Sequence, residues 1–146
     1  MSLDDKKKDF VMKKYFYLMF LFAFTFVTAN VYAANSETVI KTNVYWNQEP
    51  IKAIHIEQPQ VTILKITIPT GEKLSMHKHP MLNVGYMIKG ELTVYSEKGD
   101  VLVLKAGDPI VELVDTWHYG ENTGAEDVVI VVTYVGNKEE DLSIKK

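Results

Sequence analysis

The chain of 146 residues contains no Cys and no Arg. The first absence removes disulfide frameworks, thiolate metal sites, Cys nucleophiles and lipid-modified Cys anchors. The second removes any site built on a bidentate guanidinium clamp on carboxylate or phosphate. All 16 basic residues are therefore Lys, and against 19 Asp and Glu they leave a formal net charge of −3. That balance speaks against a nucleic-acid partner, which calls for a basic face toward phosphate. Phe is absent beyond Phe26, so a core built after it must use Val, Ile, Leu and Tyr. The length allows one compact domain, not two.

The apolar wealth of the chain is concentrated near its start. All six Phe lie between Phe10 and Phe26, and Tyr15–Val27 is almost continuously apolar. Lys13 and Lys14 precede this run, and Val31-Tyr32-Ala33 closes it on a small residue. A positive start, an apolar middle and a small-residue cleavage site are the three parts of a secretory signal. Met12 reads as the natural start, which makes Met12–Ala33 a signal of 22 residues. Met1–Val11 is then a misassigned start or an appended scar. The apolar middle has 13 residues, short of the roughly 20 that a spanning helix wants. A membrane therefore enters only if the signal stays uncleaved. The protein is expected to be exported, to a bacterial periplasm or to the medium. The remaining 113 residues carry 11 Lys against 16 acidic groups, a balance of −5.

This remainder reads as short β segments between turns. Ile51–Glu57, Val61–Ile68, Leu74–His79, Leu82–Ile88, Leu92–Ser96, Val101–Leu104, Ile110–Val114 and Val128–Val135 are rich in β-branched or alternating residues. Turn residues such as Pro69-Thr70-Gly71, Lys89-Gly90 and Lys98-Gly99-Asp100 separate them. Many short strands at regular spacing predict an all-β sandwich or barrel. The domain is placed at 34–136, and 137–146 is read as a charged, solvated tail or a short exposed helix.

Three of the four His fall in this β region with a suggestive spacing. His77 and His79 are two apart, so a strand sends both imidazoles to one face. Two rings side by side in a barrel interior repel when charged and lack partners when neutral. A divalent cation resolves both difficulties. His118 lies 39 residues beyond His79. Three neutral imidazoles on one ion leave coordination positions open, the layout of a reactive centre rather than a closed structural one. The ion expected is Fe, Mn, Ni, Zn or Cu.

The surrounding residues sharpen this. Gly71–Gly90 reads G, five residues, His77-Lys78-His79, three residues, Asn83, six residues, G. Gly107–Asn122 reads G, five residues, Leu113-Val114-Asp115, two residues, His118, three residues, Asn122. The pair resembles the two motifs of the cupin superfamily, in which a Glu stands at the Asn83 position and a P-x-G turn at 113–115. The resemblance implies a jelly-roll β-barrel and His77, His79 and His118 as metal ligands. Asn83 is then a weak fourth ligand or a hydrogen-bonding neighbour, and the centre carries about one more positive charge than the family's usual set. Gly71, Gly90 and Gly107 are expected in turns that need positive φ.

Met76, Met81, Met87, Tyr86, Trp117 and Tyr119 flank the His in sequence. Trp117, Met87 and Tyr86 are the candidates for lining a pocket for a small apolar ligand. Glu112 lies in the apolar run Ile110-Val111-Glu112-Leu113. Facing inward, it supplies the missing negative charge or an acid/base group; facing outward, it is ordinary alternation, and outward is the default. His55 is read as a surface or structural residue. The expected function is an exported metal-binding cupin that binds or acts on a small molecule, by dioxygenase-like or Lewis-acid chemistry. The alternative is a non-catalytic barrel that binds or senses a ligand or metal. A homodimer through a sheet edge or face is expected in either case.

Overall fold

The structure, a computed structural model, describes residues 2–22 and 34–146. It divides into two compact units, Met1–Ser36 and Glu37–Lys146. The first holds helix α1, Leu3–Phe22. Ser2 and Asp5 close a reciprocal cap at its start. The Asp5 amide donates to Ser2 Oγ at 3.3 Å, and the Ser2 amide donates to Asp5 Oδ2 at 3.1 Å. Such a cap satisfies amide donors that the first turn leaves free. Among the described residues, no helix is long and apolar enough to cross a membrane. The expected cleavage site, Val31-Tyr32-Ala33, lies outside them.

The second unit is a sandwich of two antiparallel sheets. Its strands are β1 (Pro59–Ile68), β2 (His77–Lys78), β3 (Leu82–Lys89), β4 (Glu91–Ser96), β5 (Val101–Lys105), β6 (Pro109–Val111), β7 (His118–Glu121), β8 (Val128–Asn137) and β9 (Ile144–Lys145). One sheet has the order β1-β8-β3-β6, the other β5-β4-β7-β2-β9. Strand β8 alternates buried and half-buried residues along its whole length. Its inward Val128, Ile130, Val132 and Tyr134 join Ile68, Met81, Met87, Leu92, Val94, Leu104 and Ile110 in one core. The core lacks Phe, as anticipated, and Met takes a share of the volume as an adaptable filler.

A second, smaller cluster decides which way β6 and its continuation face. Tyr45, Val111 and Leu113 pack together with Trp46, Ile51, Leu82 and Val84. The Trp46 amide donates to the Val111 carbonyl at 3.0 Å, which pins this covering segment. Val111 and Leu113 are thereby buried on one face, and Ile110 and Glu112 belong to the other.

Two expected elements differ. Ile51–Glu57 is not a strand; nearby, only an isolated bridge joins Val44 and Pro50. β-rich composition without a free strand to pair with builds no ladder. Residues 137–146 form no helix, and most of their side chains are exposed as in a solvated tail, but the segment is pinned at its end. Ile144 and Lys145 pair with β2, and the Lys146 amide donates to the Met76 carbonyl at 3.0 Å. The two-residue strand has exposed side chains; its backbone, not its hydrophobicity, holds it.

Gly71, Gly90 and Gly107 all have positive φ. Asp115, in place of the glycine of a P-x-G turn, has φ 53°. The turn keeps its left-handed backbone, which Asp tolerates better than bulkier residues. We expect Asp115→Gly to leave stability within about 1 kcal/mol of wild type and β-branched Asp115→Val to lower it by about 1–2 kcal/mol. Urea unfolding checks this, and equal stabilities for the two variants would contradict it.

Candidate metal centre

Strand pairing brings the three His to one place. His77 on β2 is the direct cross-strand partner of His118 on β7. His79 lies two residues along and bridges to Val114. Their ring centroids are 4.7, 5.0 and 5.1 Å apart. One ligating atom from each ring lies within 4.8 Å of the others.

The backbone fixes the protonation of each ring. His77 Nδ1 meets the Ser75 carbonyl at 2.8 Å, His79 Nδ1 the Leu142 carbonyl at 2.7 Å, and His118 Nδ1 the Thr116 carbonyl at 2.8 Å. A carbonyl only accepts, so Nδ1 carries the proton in all three rings. In the neutral ring, Nε2 then holds a lone pair. Fixing one imidazole nitrogen to free the other is how proteins prepare His for a metal.

These rings line a cavity of about 60 Å³. Its walls include Ile66, Leu74, Leu92, Val94, Ile130 and Val132, and its other polar lining residues are Glu112 and Tyr134. Glu112 thus faces inward, against the default reading. Apolar residues fill both faces of its segment, so alternation had no solvent side to mark. Its Oε2 lies 3.4 Å from His118 Nε2. Both atoms are buried and neither has a hydrogen-bond partner. When Glu112 is ionised these are two opposed acceptors in an apolar interior, an unfavourable pairing that a cation bound between them removes. The residues present therefore fit a metal ion.

The other candidates are placed elsewhere. Asn83 is fully buried on β3, cross-strand from Tyr134, yet it does not line the cavity. Its Oδ1 has no hydrogen-bond partner, and its Nδ2 reaches only the Met81 carbonyl at 3.5 Å. Met87 is a fully buried core residue. Tyr86 is exposed on the outer side of the same strand. Trp117 is half-buried, with the ammonium groups of Lys78 and Lys146 each 5.5 Å from its ring centroid. None of these three lines the cavity. His55 is exposed beside Glu57.

The sequence reading missed Tyr134, whose ring centroid is 5.5 Å from that of His79. Carrying the β8 alternation through Val128, Ile130 and Val132 would have turned it inward. Asn122, the last residue of the second motif, is a structural clamp. Its Nδ2 donates to the carbonyls of Ile68 and Glu126, both at 2.9 Å.

Burial dominates the titration of the site. It draws His79 down to about 4, the nearby His118 and His77 adding to the effect, while the Leu142 hydrogen bond opposes it. Burial also lowers His77 and His118. It pushes Glu112 up to about 7, with His77 opposing, and Tyr134 up to about 12, with Glu112 adding. For each His the unfolded chain takes up its proton first on acidification, so metal-free stability falls as the pH drops below about 6.5, for His79 down toward pH 4. For His79 the loss is about 3 kcal/mol. Glu112 has the opposite sign: its neutral form is favoured in the fold, and stability falls as pH rises from 4.5 toward 7. In chelator-treated protein, three His outweigh one Glu, and unfolding free energy is expected to drop on acidification below pH 6.5. His79→Asn makes that drop shallower, and Glu112→Gln makes it steeper. Urea titrations across pH check the signs, and parallel curves for all three proteins would refute them.

Residues 64–134 match the family model described as Cupin domain. The chain has no match among curated protein sequences. Among solved structures it is similar to the DMSP lyase DddQ of Ruegeria pomeroyi DSS-3, with TM-score 0.52 and 19% identity over 59% of this chain and 43% of that one. It is also similar to the oxalate decarboxylase of Lactobacillus farciminis in its formate complex, with TM-score 0.51 and 20% identity over 58% of this chain and 26% of that one. The chain spans less than half the length of either, and at these identities the likeness is one of fold. Both motifs, the two-sheet barrel and the family match agree, and residues 64–134 carry a Cupin domain.

Proposed function

We propose that this cupin holds one divalent first-row metal ion on His77, His79 and His118 and binds or transforms a small molecule beside it. The observation that carries this reading is the set of three imidazoles whose Nδ1 protons are tied to backbone carbonyls. Imidazole and carboxylate donors suit Fe, Mn, Ni, Zn or Cu. The bound ion supplies Lewis-acid or redox chemistry at its open positions. The protein's own part is to hold the rings in one tautomer, to exclude bulk water with aliphatic walls, and to limit the substrate to a size that suits about 60 Å³.

A non-catalytic binding or sensing role is the second reading. It is favoured by the cavity wall, where Glu112 and Tyr134 are the polar side chains besides the three His. Dioxygen consumption and turnover screens on metal-loaded protein separate the two readings.

The proposal includes export under the Met12–Ala33 signal and assembly as a homodimer. Support for the dimer comes from the outer face of the sheet β1-β8-β3-β6. Val61, Ile63, Tyr86 and Ile88 are exposed there, and Val129, Val131 and Val135 are half-buried between them. Lys65, Thr67 and Thr133 share this face with them, and a largely apolar exposed face of this kind is a candidate interface. Ile63→Lys is expected to shift the untagged protein from dimer to monomer in light scattering after size exclusion; a monomeric wild type would refute this assembly.

The central test is elemental analysis. Untagged protein is expected to carry, or take up on dialysis, about one equivalent of a first-row metal. His77→Ala and His118→Ala are each expected to lose it while keeping the β-sheet circular dichroism of the parent. A wild type that takes up no metal, or holds as much as both variants, would sink the proposal.

A further inference from the structure

The residue at the family's carboxylate position, Asn83, leaves a tri-His centre without an anionic ligand, yet the interior is not without a carboxylate. Glu112 lies in the segment that continues β6, and its backbone amide donates to the Asn83 carbonyl at 3.1 Å. The two residues are neighbours across adjoining strands, and both side chains point into the barrel. Only Glu112 lines the cavity with the His.

Glu112 Oε2 and His118 Nε2 are 3.4 Å apart, with no hydrogen bond joining them. His118 has its proton on Nδ1, held by Thr116, so its Nε2 offers the carboxylate no proton. Two donor atoms that share one ion at ~2.0–2.2 Å, with ligand angles of about 90–109°, stand about 3.0–3.5 Å apart. The observed separation from His118 falls in that range; the set of donor atoms lying within 4.8 Å of one another holds the three His without Glu112, so its carboxylate moves toward the ion on ligation.

We propose that Glu112 is the anionic ligand of the metal centre, reaching the ion from the strand beside Asn83 and taking the place of a carboxylate at position 83. This rests on the tri-His reading above. It gives the centre one carboxylate and three neutral imidazoles, so a divalent ion retains a net charge of +1 rather than +2. Asn83 then serves as buried filler beside the ligand.

The test uses the full untagged chain with Co(II), read by visible absorption and by competition with a chromophoric chelator. Glu112→Gln keeps the shape and can still hydrogen-bond to His118 Nε2, but it removes the anionic donor. It is expected to weaken Co(II) binding at least about tenfold and to shift the visible bands, because the donor set changes. Asn83→Ala is expected to leave the bands in place. In the Glu112→Gln background, Asn83→Glu is expected to recover affinity by returning a carboxylate from the neighbouring strand. Unchanged bands in Glu112→Gln would overturn the assignment, even with some loss of affinity, since a hydrogen-bonding neighbour alters affinity without leaving the donor set.

If Glu112→Gln fails to fold, the wild type decides the matter. Zn(II) addition shifts a carboxylate stretch in the infrared difference spectrum if Glu112 ligates, and no such shift overturns the proposal. A wild type indistinguishable from His118→Ala in Co(II) uptake would instead bring down the tri-His reading beneath it.

Discussion

Three imidazole protons bound to three main-chain carbonyls set the terms for the rest of the domain. Each hydrogen bond is ordinary in strength, about 1 kcal/mol net. Their joint effect is to send the unprotonated sides of three rings toward one another inside an aliphatic shell. Burial opposes protonating them, so charge cannot relieve the crowding of lone pairs. Features that look incidental become necessary under this constraint. The chain's final residues fold back onto β2, and that path carries the Leu142 carbonyl to His79 Nδ1. The turn at 113–115 keeps a left-handed residue without glycine, and the next residue but one to His118, Thr116, supplies the carbonyl that orients it.

The direction of Glu112 follows from packing. Val111 and Leu113 are held on the far side by Tyr45, Trp46 and their neighbours. Reversing the segment would bury Glu112 against those aromatic groups and leave two aliphatic side chains displaced from them. A fully buried Leu or Val side chain contributes about 1.5–3 kcal/mol, so the apolar pair dictates where the acid goes. The cost of burying a carboxyl is visible in its elevated pKa. The N-terminal covering segment, remote from the cavity in sequence, thus determines one of the cavity's polar groups.

How much of this could be read from the sequence depended on whether a pattern had a solvent side. Strands such as β3 and β8, bounded by turns, declared themselves by composition and alternation. The H-x-H spacing places two rings on one face of an extended segment. Glu112 was ambiguous because both faces of its segment are apolar. Strand β9 was illegible for a different reason: two exposed residues held by main-chain pairing carry no hydrophobic signature. Trp117 and Tyr86 show the opposite case: nearness to the His along the chain does not bring a side chain into the cavity. Trp117 adjoins His118 in a region of alternating burial, and consecutive side chains of an extended segment point to opposite sides. Ile51–Glu57 had the composition of a strand, but the Ile51, Lys52 and Glu57 amides go to the Asn43 carbonyl, the Tyr45 hydroxyl and the Asn137 side chain rather than to a ladder.

A small, aliphatic-walled chamber also changes what each polar group is worth. Charges at a few ångströms interact several times more strongly at the effective dielectric of a protein site than in water. A single carboxylate beside an ion then alters its net charge in a setting where solvent compensates little. With no Arg in the chain and no Cys, imidazole and carboxylate are the donors from which such a centre is built. The phenol of Tyr134 is kept protonated by the same burial and by the same carboxyl. It therefore remains a hydrogen-bond donor over the pH range in which the His are neutral. The chamber thus combines lone pairs on one wall, an acidic group that can carry negative charge, and a neutral donor near His79. If an ion sits on the three His as proposed, this polarity pattern suits a small molecule with an electron-rich atom to place near the ion and an acceptor to place near the phenol.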